Sequence, residues 1–269
     1  MVHKTANARL DQLNTLGFTA QASWLVTAEK PEELPEVFDF ALSQALPVFP
    51  LGGGSNVIFQ GDLKAVVLQQ TAQAIDWPET EPDELIINVP AGYAWQQLVL
   101  DTTNKGYFGL ENLALIPGQA GAAPIQNIGA YGVELADSLQ AVEGYWLPNK
   151  GQPAKFDILA AKDCGLGYRD SRFKHDWKGR FVITALQLQL SKQAEPRLNY
   201  ADLKARLAIK KQQLEAVNQP LPTLIAEVVT ELRRSKLPDP AKLANAGSFF
   251  KNPVISKQQA DELLKLYPQ

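Results

Sequence analysis

Pro117-Gly118-Gln119-Ala120-Gly121-Ala122-Ala123-Pro124-Ile125-Gln126-Asn127-Ile128-Gly129-Ala130-Tyr131-Gly132 contains no charged residue. From Ala120 to Ala123 no side chain exceeds a methyl group. A wall of that kind leaves room for a flat ring or a diphosphate, and glycine lets the backbone itself approach a ligand. Gln126 and Asn127 add amides that can donate and accept at the edge of a heterocycle. The competing reading is a tightly packed glycine-rich turn. The length of the segment and its lack of charge favour a buried cofactor.

Upstream, Leu51-Gly52-Gly53-Gly54-Ser55-Asn56 closes a short apolar strand at Pro47–Leu51. Three glycines expose backbone N–H groups to an anion, and Ser55 and Asn56 add side-chain donors. No GK[ST] follows and GxGxxG is not satisfied, so this is neither a Walker loop nor a Rossmann fingerprint. A phosphate cradle and a flexible turn are equal readings of it. Downstream, Gly167-Tyr168-Arg169-Asp170-Ser171 sets an arginine beside a tyrosine, with Phe173-Lys174-His175 following. Such an arginine can hold a carboxylate or enolate through its planar donors, or form an ion pair with Asp170. Arg233-Arg234-Ser235-Lys236-Leu237-Pro238-Asp239-Pro240 reads as a cationic helix end, compensating a dipole or clamping an anion. It leads to Asn245-Ala246-Gly247-Ser248-Phe249-Phe250-Lys251-Asn252-Pro253, where small residues precede one hydroxyl.

Around these stretches the pattern is α+β. Helices are expected at Pro31–Leu46, Tyr93–Asn104, Tyr200–Val217 and Pro222–Ser235. Strands are expected at Ala65–Leu68, Leu85–Val89, Leu139–Leu147 and Phe181–Leu190. Divisions near residues 70 and 230 give three units, 1–70, 71–230 and 231–269. With 269 residues and a net charge of −3, the chain offers no clustered basic surface for nucleic acid. No apolar run reaches membrane-span length, and the N-terminus lacks a secretory core. One cysteine, Cys164, and two histidines, His3 and His175, leave no supply for a disulfide or a multi-histidine metal site. A cytoplasmic monomer is expected.

Together, LNTLGF (Leu13–Phe18), LGGGSNVIF, GLENLALIPGQAGAAPIQNIGAYGVEL, GYRDSRFKH, LNYADL (Leu198–Leu203), SKLPDP and NAGSFFKNP resemble, in order, the UDP-N-acetylenolpyruvoylglucosamine reductase family. The resemblance runs from residue 13 to the end of the chain. It implies an FAD-binding fold of the vanillyl-alcohol-oxidase type, with residues 1–70 and 71–230 holding FAD and an incomplete C-terminal substrate domain from 231. It implies NADPH-dependent reduction of the enolpyruvyl ether of a UDP-sugar in peptidoglycan precursor synthesis. NADPH and the UDP-sugar would occupy one cleft in turn, which fits the missing Rossmann fingerprint.

By the same resemblance, Arg169 stabilises enol-like charge and Ser248 delivers a proton to carbon. Tyr168, Tyr200, Lys236 and Asn252 contact substrate. FAD would be bound, without covalent attachment, by Gly52, Gly53, Gly54, Ser55, Asn56, Pro117, Gly118, Gly121, Ala122, Ala123, Gln126, Asn127, Ile128, Gly129, Tyr131, Gly132 and Arg233. GQAGAA carries alanines where the family often has a serine beside the flavin. The family also supplies a catalytic glutamate beyond the position of Gln269, so these 269 residues are expected to bind FAD and to turn over UDP-sugar poorly. Flavin binding without turnover, and another oxidase of the same fold, are the alternatives; the serine and SKLPDP segments count against the second.

Overall fold

β1 (His3–Arg9), β2 (Gln21–Ala28), α1 (Leu34–Ser43), β3 (Val48–Pro50) and β4 (Leu63–Gln70) make the first layer. The computed structural model describes residues 2–149, 151–213, 219–248 and 250–268. Ala65, Val66, Val67 and Leu68 are all buried. A strand apolar on both faces belongs inside a sheet, and β4 lies between β2 and β3 in the order β1-β2-β4-β3. β2 and β3 run parallel to β4, with α1 as the crossover, and β1 is antiparallel to β2. Val66 and Leu68 face Leu34, Val37 and Phe38 of α1, while Val67 faces Leu10, Leu51 and Phe59 on the other side.

The second layer contains β5 (Glu84–Pro90), α2 (Trp95–Asn104), the two-residue strands β6 (Gly129–Ala130) and β7 (Val133–Glu134), β8 (Leu139–Trp146), β9 (Lys155–Ala160) and β10 (Phe181–Ser191). α3 (Ala201–Gln213) and α4 (Leu221–Lys236) follow. The larger sheet is antiparallel in the order β5-β10-β8-β9. Leu186, Leu188 and Leu190 point inward at period two, as the alternation with Gln187 and Gln189 predicts. Ile225, Val228, Val229 and Leu232 form the inward stripe of α4. Each such side chain contributes about 1.5–3 kcal/mol by leaving water. Trp95 is buried and donates Nε1–H to Leu113 O (3.0 Å), which seats α2 on the turn at Glu111–Leu113.

The two layers share β10. Val182 belongs to the core under α1, and its neighbour Ile183 to the core of the larger sheet. Gln70 Nε2, at the end of β4, donates to Ile183 O (2.7 Å). The division expected near residue 230 falls inside α4, which runs unbroken to Lys236. The helix expected at 31–46 begins with a 3-10 turn at Pro31–Glu33 and ends at Ser43. Of the helix expected at 200–217, residues 214–217 lie outside the described residues. α5 (Lys257–Leu266) has no buried residue. Among the described residues no helix is long and apolar enough to cross a membrane.

Candidate active site

Two glycine-bearing loops meet at the end of the first sheet. A Cβ on Gly53 would lie 3.1 Å from Gly118 Cα. Ser55 Oγ donates to Pro117 O (3.3 Å), and Asn56 Nδ2 to Gln126 Oε1 (3.1 Å). Gly54, at φ +64°, backs onto LNTLGF so closely that a Cβ would sit 1.9 Å from Leu13 O. The Asn14 amide makes that buttress rigid by donating to Leu10 O and Phe18 O and accepting from Phe18 N.

The side chains of Ser55 and Asn56 are therefore bonded to the facing loop, and the backbone faces the recess. Among the described residues, the amides of Gly52–Asn56, Gly118 and Gln119 donate to no protein acceptor. The recess, about 180 Å³, is lined by these residues with Pro117, Ala122, Ala123, Gln126 and Ile128. Gly121 lines an adjoining space and packs against Ala91.

Asn127 departs from its sequence reading. Its side chain is fully buried and engaged within the protein. It donates to Glu134 Oε2 (2.7 Å) and Gly167 O (3.0 Å), and accepts from Ala136 N (3.0 Å). It therefore offers no amide to a heterocycle. Tyr131 and Gly132 do not line the recess; Gly132 packs near Tyr200, whose ring meets that of Tyr131 edge-on at 5.6 Å, and Tyr131 lies close enough to Arg233 to act on its guanidinium.

Gly167 and Asp170 close a tight turn through mutual N–H···O bonds of 3.0 and 3.1 Å, with Tyr168 and Arg169 at its tip. Arg169 has φ +53°, a left-handed conformation costing an arginine about 1–2 kcal/mol. Its guanidinium lies over the Tyr168 ring (5.2 Å) and donates to Gly129 O (2.5 Å). The ion pair considered between Arg169 and Asp170 is not formed. Asp170 pairs with His175 at 2.9 Å, and that hydrogen bond holds its carboxyl below the usual range.

Arg169 lines a cleft of about 500 Å³ with Tyr168, Ser248, Asn252 and Arg233. Among its described lining residues are four cations, Arg169, Lys174, Arg233 and Lys251, and no carboxylate. Arg233 comes from the last turn of α4. Its Nε is buried without a hydrogen-bond partner. Burial pulls its pKa below the ordinary guanidinium value, and the nearby charge of Arg169 adds to that effect. An unpaired, half-buried guanidinium beside unbonded backbone amides suits a diphosphate.

Ser248 follows a loop fixed by Asn245, whose Nδ2 donates to Pro238 O and Leu243 O and whose Oδ1 accepts from Gly247 N (3.0 Å). Asn245 thus pins the approach to the serine, beyond the clearance its neighbours give. Phe249 lies outside the described residues.

Lys236 and Tyr200 are not brought into this cleft. Lys236 pairs with Asp202 of α3 (3.3 Å), and Tyr200 packs on Tyr131. Lys251 and Lys174, which do line it, were not singled out from the sequence, although both stand inside motifs read there. Among the described residues, no group of three or more metal-ligating side chains occurs.

A family model described as FAD binding domain matches residues 22–146. The UDP-N-acetylenolpyruvoylglucosamine reductase of Chromobacterium violaceum is 40% identical over 264 residues, covering 98% of this chain and 75% of that protein. The protein of the same name from Escherichia coli K12 is 41% identical, covering 97% of this chain and 72% of that protein. The crystal structure of the reductase from Thermus caldophilus aligns with TM-score 0.62 at 26% identity, over 98% of this chain and 80% of that one. A solvent-stable cholesterol oxidase aligns with TM-score 0.52 at 15% identity, over 66% of this chain and 36% of that one, a likeness of fold.

Proposed function

The chain belongs to the UDP-N-acetylenolpyruvoylglucosamine reductase family, and we propose that its chemistry is carried by Arg169 and Ser248 from the cleft they share. The protein is an FAD-containing, NADPH-dependent oxidoreductase of peptidoglycan precursor synthesis. It reduces the enolpyruvyl ether of a UDP-sugar to a lactyl ether. When bound, FAD would supply the redox chemistry that links NADPH to the substrate alkene.

The residues around the recess fit that cofactor. The amides of the two glycine loops and the Arg233 guanidinium would hold its diphosphate, and Ala122 and Ala123 leave room beside it. In the cleft, Arg169 meets the charge that builds next to the substrate carboxylate. Its donors are already oriented by Gly129 O, so little reorganisation is needed as the charge develops. Ser248 gives its hydroxyl proton to the adjacent carbon, a role open to a weak acid that is well placed opposite a basic centre. Tyr168 and Asn252 contact the substrate, and Lys251 and Lys174 add charge that favours its anionic groups. The observation that carries this reading is a cleft whose described lining residues include four cations, a serine hydroxyl and no carboxylate. The units 1–70 and 71–230, a monomeric state and a cytoplasmic location belong to the same proposal.

Stopped-flow absorbance separates the two half-reactions. Ser248→Ala should leave flavin reduction by NADPH nearly intact and slow reoxidation by the UDP-sugar about 10²–10⁴-fold. Equal slowing of both would assign the serine to the fold or to flavin binding and overturn its role as proton donor.

A further inference from the structure

Residues at spacing two, Ile125, Asn127 and Gly129, each hold one residue of the segment Gly167–Ser171 that contains the arginine turn. Ile125 O accepts from Ser171 Oγ (2.6 Å), Asn127 Nδ2 donates to Gly167 O (3.0 Å), and Gly129 O accepts from Arg169 Nη2 (2.5 Å). The pairing is close: a Cβ on Gly129 would lie 2.7 Å from Arg169 Nη1 and 3.0 Å from Val133 O. Asn127 is the only side chain on the loop's half of these contacts. It is fully buried, and its own backbone is left-handed at φ +43°. Its second donor bond, to Glu134, and its acceptor bond, from Ala136 N, fix the amide plane, so the hydrogen aimed at Gly167 O has one direction.

We infer that Asn127 is a positioning residue for the reduction: it holds the Gly167–Asp170 turn so that Arg169 keeps its left-handed backbone and presents its guanidinium to the cleft. The inference rests on the role proposed for Arg169. A strained conformation persists where its surroundings over-determine it. The loop supplies that constraint from inside, and Lys174 supplies it from outside by donating Nζ–H to Arg169 O (2.9 Å). The loop that holds Arg169 is continuous with the wall of the cofactor recess, so the arginine is registered against that recess through Asn127.

Asn127→Gly keeps the left-handed backbone and removes only the amide. Displacing a catalytic group by about 1 Å costs on the order of 10²-fold, so reoxidation by the UDP-sugar should slow by up to that factor, with flavin reduction little changed. The same substitution in an Arg169→Ala background should add almost nothing, because the residue it positions is gone. Hydrogen–deuterium exchange of the segment 165–172 gives a readout independent of turnover, and it should accelerate in Asn127→Gly while β8 stays protected. If Arg169→Ala slows reoxidation but the Asn127 effect multiplies with it in full, the positioning inference falls and the role of Arg169 stands. If Arg169→Ala leaves reoxidation unchanged, both fall. Should Asn127→Gly not fold, Ser171→Ala, which removes the bond to Ile125 O, tests the same hold on the turn. An effect that persists undiminished without Arg169 would likewise overturn the inference.

Discussion

Replacing Gly54 by alanine should damage the cofactor recess first, since Gly54 lines the recess and not the catalytic cleft. Two costs can be separated. The first is conformational: φ +64° is left-handed, and a side chain there costs about 1–2 kcal/mol. The second is steric. The new Cβ would stand 1.9 Å from Leu13 O and 2.7 Å from Asn14 Cα. Carbon–oxygen contacts normally begin at about 3.3 Å, so the glycine loop and LNTLGF must part by roughly 1.4 Å. Neither side yields easily, because the Asn14 amide ties Leu10 to Phe18. Overpacking of this kind costs about 1–3 kcal/mol more.

The sum is about 2–5 kcal/mol, which at roughly 2–4 °C per kcal/mol lowers Tm by several to twenty degrees. Gly17→Ala is the matched control. It has φ +66° and nothing within 4 Å of the added Cβ, so it carries the first cost alone. Loss of one amide contact to the diphosphate should also weaken FAD by about 10–100-fold in Gly54→Ala and not in Gly17→Ala. Thermal melts with and without FAD, and flavin titration by fluorescence quenching, read both quantities. A Gly54→Ala protein that melts with Gly17→Ala and binds FAD equally well would refute the reasoning.

Arg233→Met should leave the flavin-free protein as stable as the parent or more so, since it removes an unpaired half-buried charge. It should weaken FAD roughly 10–100-fold; unchanged FAD affinity by titration would detach Arg233 from the diphosphate. Glu111 is buried, and that burial raises its pKa above the ordinary 4.5, against hydrogen bonds such as the one from Gly109 N. Its contribution to stability is complete below the unfolded value and is lost as pH rises through the folded one. Glu111→Gln should therefore flatten the decline of Tm over that interval, and an unchanged slope in melts across it would assign the decline to other groups. Denaturation should release FAD from the chain; flavin remaining with the precipitated protein would reveal covalent attachment.

What the sequence disclosed follows from how local each signal was. The inward stripes of β10 and α4 depend on periodicity alone, and both appear as read. β1 could not be read that way: of His3–Arg9 only Ala8 is buried, so its pairing with β2 leaves no alternation to find. The stretches that build the site were visible as motifs, because glycine, arginine and serine are informative where they stand. The direction of a side chain was not. Asn127 has the composition of a ligand contact, but its partners are Glu134, Gly167 and Ala136, and Gly167 lies forty residues away. Lys236 stands in a motif read as an anion grip, yet α3 brings Asp202 to it.

The strand that serves both layers also sets a timetable for synthesis. Domains tend to fold as units while the chain emerges, N-terminal part first. Here the residues up to Gln70 complete a sheet, but not the core beneath α1, because Val182 and Tyr145 fill part of it. On the ribosome, that part of the core stays open to solvent for more than a hundred further residues, until β10 emerges and closes it. The recess at the end of the first sheet also needs Gly118 and Gln126 from the later segment. A nascent chain halted before residue 181 should therefore engage chaperones and capture no flavin, whereas one released past α4 should do the reverse.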